Sequence, residues 1–235
     1  MSYLIFGGVP SYQVGVVVEH CPSYQAPQRV VTKYTIPGRS GDLTLDTGAY
    51  SNVTQTYEVW YKHHGLNMTE ATHAVAKWLL SAQGYQRLED TYDPDIYRMA
   101  LFVGPVDFEN WMLRRGRATL TFDCQPQRWY KSGELPVTLT SGSVLHNPGQ
   151  PSSPLLHVTG NGDGELSVGD TIIHSSGLDG DMMIDCDSQN AYWEAENLNA
   201  NIQVSQFPVL SAGDTAISWS GGITGVICIP RWWTL

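Results

Sequence analysis

Histidines, clustered carboxylates, a glycine-rich run and an arginine cluster are the groups in this chain that could do chemistry. His63, His64 and His73 offer imidazole, the commonest nitrogen ligand of zinc. The helical H-E-x-x-H spacing is absent, and His63-His64-Gly65 ends a strand-like run, so solvent-facing turn histidines are the better reading. Gly160-Asn161-Gly162-Asp163-Gly164 imitates a phosphate-cradling loop. Its third glycine is misplaced and no helix opens after it, whereas phosphate binding uses a helix N-terminus; a β-turn is expected instead. Asp179-Gly180-Asp181 and Asp185-Cys186-Asp187 imitate a calcium loop but lack the third early ligand, the central glycine and the terminal bidentate Glu. Asp179-Gly180 reads as a hairpin turn, with weak adventitious cation binding as the minor alternative. Glu89-Asp90 and Asp93-Pro94-Asp95 could pair carboxylates for acid–base work, yet nothing nucleophilic is near in sequence and Asp-Pro-Asp is turn chemistry. No G-x-S-x-G elbow occurs; Gly38-Arg39-Ser40-Gly41 has the wrong spacing. Arg114, Arg115 and Arg117 follow Trp111 and read as a hairpin tip, either solvated or in a subunit contact, where the planar guanidinium pairs carboxylates bidentately. Catalysis has no support in these spacings.

The elements that must carry these groups are mostly strands. Val14 to Val18, Val30 to Ile36, Val53 to Tyr61 and Arg117 to Phe122 are short Val-, Thr- and Tyr-rich runs between Gly, Pro, Asn and Asp clusters. From Thr69 to Ala82 the period changes. Ala71, Ala74, Val75, Trp78, Leu79 and Ala82 fall on one helical stripe, with Asn67 as N-cap, Glu70 three positions on, and Gly84 past the end. Trp78 and Leu79 are expected as core anchors.

The chain has 235 residues, 42% of them hydrophobic and 15% charged, with a net charge of −10. That composition suits one or two globular domains and is too apolar for disorder. An acidic balance argues against wrapping nucleic acid, which needs clustered Lys and Arg. No run approaches the ~18 apolar residues of a spanning helix, and the first residues lack the basic and apolar regions of a secretory signal. Cys21, Cys124, Cys186 and Cys228 are widely separated and are expected as reduced, buried thiols. The texture shifts near residue 134. Residues 1–134 carry 12 basic and 13 acidic side chains, whereas residues 135–235 carry only Arg231 against 10 acidic ones. This asymmetry predicts two domains, 1–134 and 135–235, the second a β-sandwich of strands recurring every ~8–12 residues.

Ordered phrases along the chain carry a family resemblance. Tyr34-Thr35-Ile36-Pro37-Gly38-Arg39-Ser40-Gly41-Asp42-Leu43, then Tyr50, the strand Thr54 to Tyr61 and the helix, close on Leu120-Thr121-Phe122-Asp123-Cys124-Gln125-Pro126. Later come Asn147-Pro148-Gly149, Ser153-Pro154-Leu155-Leu156, Gln206-Phe207-Pro208-Val209-Leu210-Ser211-Ala212-Gly213-Asp214, and Ile229-Pro230-Arg231-Trp232. The set resembles the distal tail (Dit) proteins of long-tailed phages and prophages, nearly end to end. Asp214 stands where the family usually has Asn, and Ser40 where an acidic residue is common.

The resemblance implies a mainly β fold. Its first domain would be a β-sandwich or barrel-like body with one helix; its second, a galectin-like β-sandwich. It further implies a homohexameric ring with a DNA channel at the tail tip, assembled in the host cytoplasm, that joins the tail tube protein to the tail-associated tip protein and can carry receptor-binding proteins. No enzyme activity, cofactor, metal, membrane or sequence-specific nucleic acid is implied. Pro37, Gly38, Arg39 and Gly41, with Arg114, Arg115 and Arg117, are the candidate subunit-interface or motif residues. A closed ring requires two different faces of each subunit to meet. The alternative reading is a carbohydrate-binding module for host-wall glycans, to which Trp193-Glu194 is superficially suited, although the galectin H-x-N-x-R pattern is missing at His146-Asn147-Pro148-Gly149. A tail lysin ranks third, for want of a catalytic dyad.

Overall fold

The computed structural model describes residues 2–61, 68–105, 109–112 and 115–235. The chain forms two compact units, Met1–Arg128 with Leu235, and Trp129–Thr234. The composition break near residue 134 lies just past that division, at the end of the short 3-10 turn Lys131–Glu134.

In the first unit the strands are β1 (Leu4–Phe6), β2 (Val9–Pro10), β3 (Val16–Val18), β4 (Arg29–Tyr34), β5 (Leu43–Tyr50) and β6 (Val53–Tyr61). Helix α1 (Met68–Leu80) follows, then β7 (Gln86–Asp90), β8 (Ile96–Phe102), β9 (Glu109–Met112) and β10 (Arg115–Tyr130), the last continuing into the second unit. The main sheet runs β2-β1-β7-β8-β10-β6-β3, with β9 beside β10, and β4-β5 stand apart as a two-stranded sheet. In β6 the period-two pattern turns Gln55, Tyr57, Val59 and Tyr61 inward. Phe122 of β10 packs against Phe6, Tyr57 and Phe102 at centroid distances of 5.1, 5.9 and 5.4 Å. The helix forms where its stripe required, burying Ala71, Val75, Trp78 and Leu79, while His73 is exposed. The Trp78 indole N–H donates to the Phe6 carbonyl at 3.1 Å, which fixes the helix on β1. The expected cap Asn67, like His63 and His64, lies outside the described residues.

The second unit contains β11 (Val137–Leu139), β12 (Ser143–Asn147), β13 (Leu155–Val168), β14 (Thr171–Asp185), β15 (Asn190–Trp193), β16 (Glu196–Asn197), β17 (Ile202–Gln203), β18 (Gly213–Ile229) and β19 (Trp233–Thr234). β13, β14 and β18 are longer than the sequence spacing suggested, because each bends without ending. The first half of β13 pairs with the ends of β14 and β18; its second half pairs with their beginnings. β18 likewise pairs β11 at one end and β12 at the other. The bends fall at glycines. A Cβ on Gly160 would lie 2.3 Å from the Gly222 carbonyl oxygen, and one on Gly222 would lie 2.0 Å from that of Asn161. Gly160-Asn161-Gly162-Asp163-Gly164 is therefore neither a phosphate loop nor the expected β-turn but the bulged bend of one strand. Asp179-Gly180 likewise lies inside β14 rather than in a hairpin turn.

Two of the sequence phrases acquire physical roles here. Buried Asn147 donates to the carbonyls of Gln150 and Leu210 and accepts from Gly149 N–H, so Asn-Pro-Gly ties the opening of the unit together. The Ser152 hydroxyl donates to Pro230 O at 2.8 Å. Arg231 forks the Asp185 carboxylate, Nη1 to Oδ1 at 2.6 Å and Nη2 to Oδ2 at 3.2 Å. Three of the four thiols are buried as expected; Cys21 is exposed.

Candidate functional site

The turn phrase Ile36-Pro37-Gly38-Arg39 forms a type II β-turn: Arg39 N–H donates to Ile36 O at 3.2 Å, and Gly38 sits at φ +82°. Proline presets the first central position and only glycine accepts the second without strain, which is why the two are adjacent. Gly41 is also left-handed, at φ +84°, and the Thr35 hydroxyl donates to Asp42 Oδ1 at 2.8 Å across the turn. Pro37, Gly38, Arg39 and Gly41 are thus gathered at the tip of one hairpin, β4-β5. Arg39 is exposed, and its guanidinium has no hydrogen-bond or ion-pair partner among the described residues.

The rest of the hairpin shows what that tip belongs to. Every residue of β4 and all but the last of β5 are exposed. Cross-strand pairs Tyr34–Leu43 and Thr32–Leu45 put three large apolar side chains on one face, Tyr34 at 52% exposure, Leu43 at 48% and Leu45 at 53%. Lys33, Thr44 and Asp46 take the other face with Val31. Sequence reasoning singled out the tip and missed this face, although the alternation Leu43-x-Leu45 was there to read.

The two strands of the hairpin are closed on each other at their base. Arg29 Nη1 meets Asp46 Oδ2 at 2.6 Å and Nη2 donates to the Tyr50 hydroxyl at 3.0 Å. Ser51 N–H donates to Gln28 O at 2.9 Å. The segment entering β4 is held by one buried donor and one buried acceptor: Gln55 donates to Ser23 O, and the Tyr24 hydroxyl donates to Asp90 Oδ1 at 2.8 Å. Asp90 Oδ2 also accepts from Tyr57, and Oδ1 from the Tyr92 and Asp93 N–H groups. Burial, followed by the hydrogen bond to Asp90, pushes the Tyr24 phenol well above its usual pKa. The arginine Arg98 lies over the Tyr24 ring, 4.7 Å from its centroid. Asp90, read from sequence only as part of an acidic run, is the centre of this network.

The arginine cluster divides differently. Arg114 lies outside the described residues, and Arg115 is described in its backbone only, paired with Met112 of β9. Arg117 is inside β10 rather than at a tip, paired with Trp60 of β6, and its guanidinium meets Glu19 Oε1 at 2.5 Å. Glu19, His20 and Glu58 bring three donor atoms within 4.8 Å of one another. The guanidinium on Glu19 neutralises one carboxylate and repels a cation, so this group is a surface ion-pair network. A shallow cavity of about 450 Å³ beside it is lined by Glu58, Pro105, Arg117 and Thr119. No helix among the described residues is long and apolar enough to cross a membrane.

No protein-family model matches the chain, and no curated protein matches it. Solved structures do. The SPP1 Dit protein, called a paradigm of hub adsorption apparatus in Gram-positive infecting phages, matches over 100% of both chains with a TM-score of 0.77 at 14% identity. A chain of the phage P2 baseplate, in its activated conformation with Ca, matches 97% of this chain and 96% of its own at a TM-score of 0.51 and 10% identity. At such identities the likeness is one of fold, and the fold is a Dit-like, mainly β architecture along the whole length.

Proposed function

We propose that this chain is a distal tail hub protein, a structural component of a phage or prophage tail tip. The observation that carries the reading is the end-to-end correspondence with the SPP1 Dit fold, both units in one order, in a chain whose family phrases were legible in sequence. In this reading the subunits assemble in the host cytoplasm into a homohexameric ring around a channel for DNA. The ring joins the tail tube to the tail-associated tip protein and the host-adsorption apparatus. The role is one of assembly, without catalysis.

The β4-β5 hairpin supports self-association. A two-stranded hairpin alone is marginal in water, and one face of this one exposes Tyr34, Leu43 and Leu45. Burying that face against a neighbouring subunit removes apolar surface from water, and unpartnered Arg39 at the tip is placed to meet a carboxylate or carbonyl of the same neighbour. Head-to-tail use of an arm and a different receiving face is the kind of contact from which a ring is built when its rotation closes. Light scattering on chromatographed protein over a range of concentrations tests this: the mass should rise toward six chains. A strict monomer at every concentration, also in the presence of the tail tube protein, defeats the ring.

A further inference from the structure

The second unit holds a cavity of about 280 Å³ that the hub reading leaves unused, lined among others by Ser176, Asp179, Asp181, Trp193, Glu196 and Asn201. The fold builds it from a defect. Opposite Asp163 of β13, strand β14 carries two residues, Ser176 and Gly177, and this bulge is pinned by Gly177 N–H donating to Asp163 Oδ1 at 2.9 Å. Gly177 and Gly180 both take positive φ, +60° and +92°. A bulge bends its strand and re-aims the side chains beyond it. The far wall comes from the turn Asn199–Asn201, locked to β14 by Asn201 Nδ2 donating to Ser176 O at 3.0 Å.

The aromatic in the cavity is preorganised. Trp193 stacks on His157 with centroids 5.5 Å apart and planes 12° from parallel. His157 Nε2 is 2.7 Å from Asp181 Oδ1, which also accepts from the Thr159 hydroxyl at 3.0 Å. Asp181 Oδ2, both carboxylate oxygens of Asp179 and those of Glu196 have no protein partner among the described residues. Every charged side chain in the lining is acidic. That excludes phosphate and carboxylate ligands. Among the described residues these carboxylates do not form a group of three within 4.8 Å, so they are not a metal cage.

We propose that this cavity binds a neutral pyranoside of a cell-surface glycan. The indole face takes the weakly positive C–H face of the sugar, and the dispersed carboxylates, acceptors only, take its hydroxyl donors. The volume lies just below the range of drug-sized ligand sites, about 300–1,000 Å³, and suits one sugar ring. The proposal is independent of the ring, since all its residues belong to one unit of one chain.

Saturation-transfer NMR and calorimetry with the full chain test it, using methyl glycosides of glucose, galactose, mannose and N-acetylglucosamine as probes, with a glycerol-phosphate polymer as the anionic comparison. At least one glycoside should bind, Trp193→Ala should weaken it by 10-fold or more, and Glu196→Gln, at an exposed position, by several-fold. No binding by any of the four, binding unchanged in both variants, or equal binding of the anionic polymer overturns the proposal.

Discussion

The Tyr24 hydroxyl reaches Asp90 Oδ1 at 2.8 Å across 66 residues of chain, and through that bond the segment entering the exposed β4-β5 hairpin is fastened to the core. The carboxylate is 5% exposed and shares its other oxygen with Tyr57. A rigid root with a free tip is what an arm needs in order to dock at a fixed angle.

Removing the root bond should be costly in the isolated chain. Tyr24→Phe takes a donor from a buried carboxylate, and hydrogen bonds to charged groups are worth about 1.5–3 kcal/mol. Urea unfolding should show that loss, and hydrogen exchange should quicken over residues 23–28. A change below about 0.5 kcal/mol, the range of ordinary surface substitutions, would mean that Tyr24 is no anchor.

The arm's apolar face should behave in the opposite way. Leu43→Ser with Leu45→Ser should leave monomer stability within about 0.5 kcal/mol, because both side chains are already exposed. The same pair should abolish growth of mass with concentration. By contrast Leu120→Ala, at a fully buried position, should cost about 2–5 kcal/mol.

Asp185 gives the second unit a pH dependence of known sign. The Arg231 fork, then the backbone N–H groups of Asp187 and Ser188, hold its carboxyl below the ordinary value against the opposing effect of burial, and an unfolded Asp titrates near 3.9 (about). The stabilisation is complete above that unfolded value and is lost as pH falls through the lower folded one. Arg231→Gln should lower stability at pH 7 by about 1.5–3 kcal/mol and flatten its fall in acid. Unfolding curves from neutral pH downward will show whether the two profiles converge.

The glycine bends admit no side chain. Gly222→Ala would place a Cβ 2.0 Å from Asn161 O, backbone against backbone, and should cost about 1–3 kcal/mol or more. At the tip, Gly38→Ala meets nothing within 4 Å and should cost only the left-handed penalty of about 1–2 kcal/mol. Thermal unfolding of the two variants should separate them in that order.

Thiol titration offers a rapid check on both cores. Burial pushes Cys124, Cys186 and Cys228 up to about 12, whereas Cys21 is exposed. One thiol per chain should react with an aromatic disulfide reagent under native conditions, and Cys21→Ser should remove it.

The sequence by itself determined what depends on short-range pattern. The stripe Ala71–Val75–Trp78 could only bury as a helix, the alternation through Tyr57 and Val59 only as a strand, and Pro37-Gly38 only as a type II turn. Each is decided by backbone periodicity or by one dihedral preference, within a few residues. The tertiary structure alone decided what depends on distant partners. Asp90 looks like one more member of an acidic run until Tyr24 and Tyr57 arrive at it, and Gly160 and Gly164 look like loop residues until β18 comes close enough to forbid a Cβ at either. Trp193 is an ordinary strand aromatic until His157, from another strand, stacks on it beside a bulge. Burial and pairing are properties of where strands meet, and no local preference encodes them.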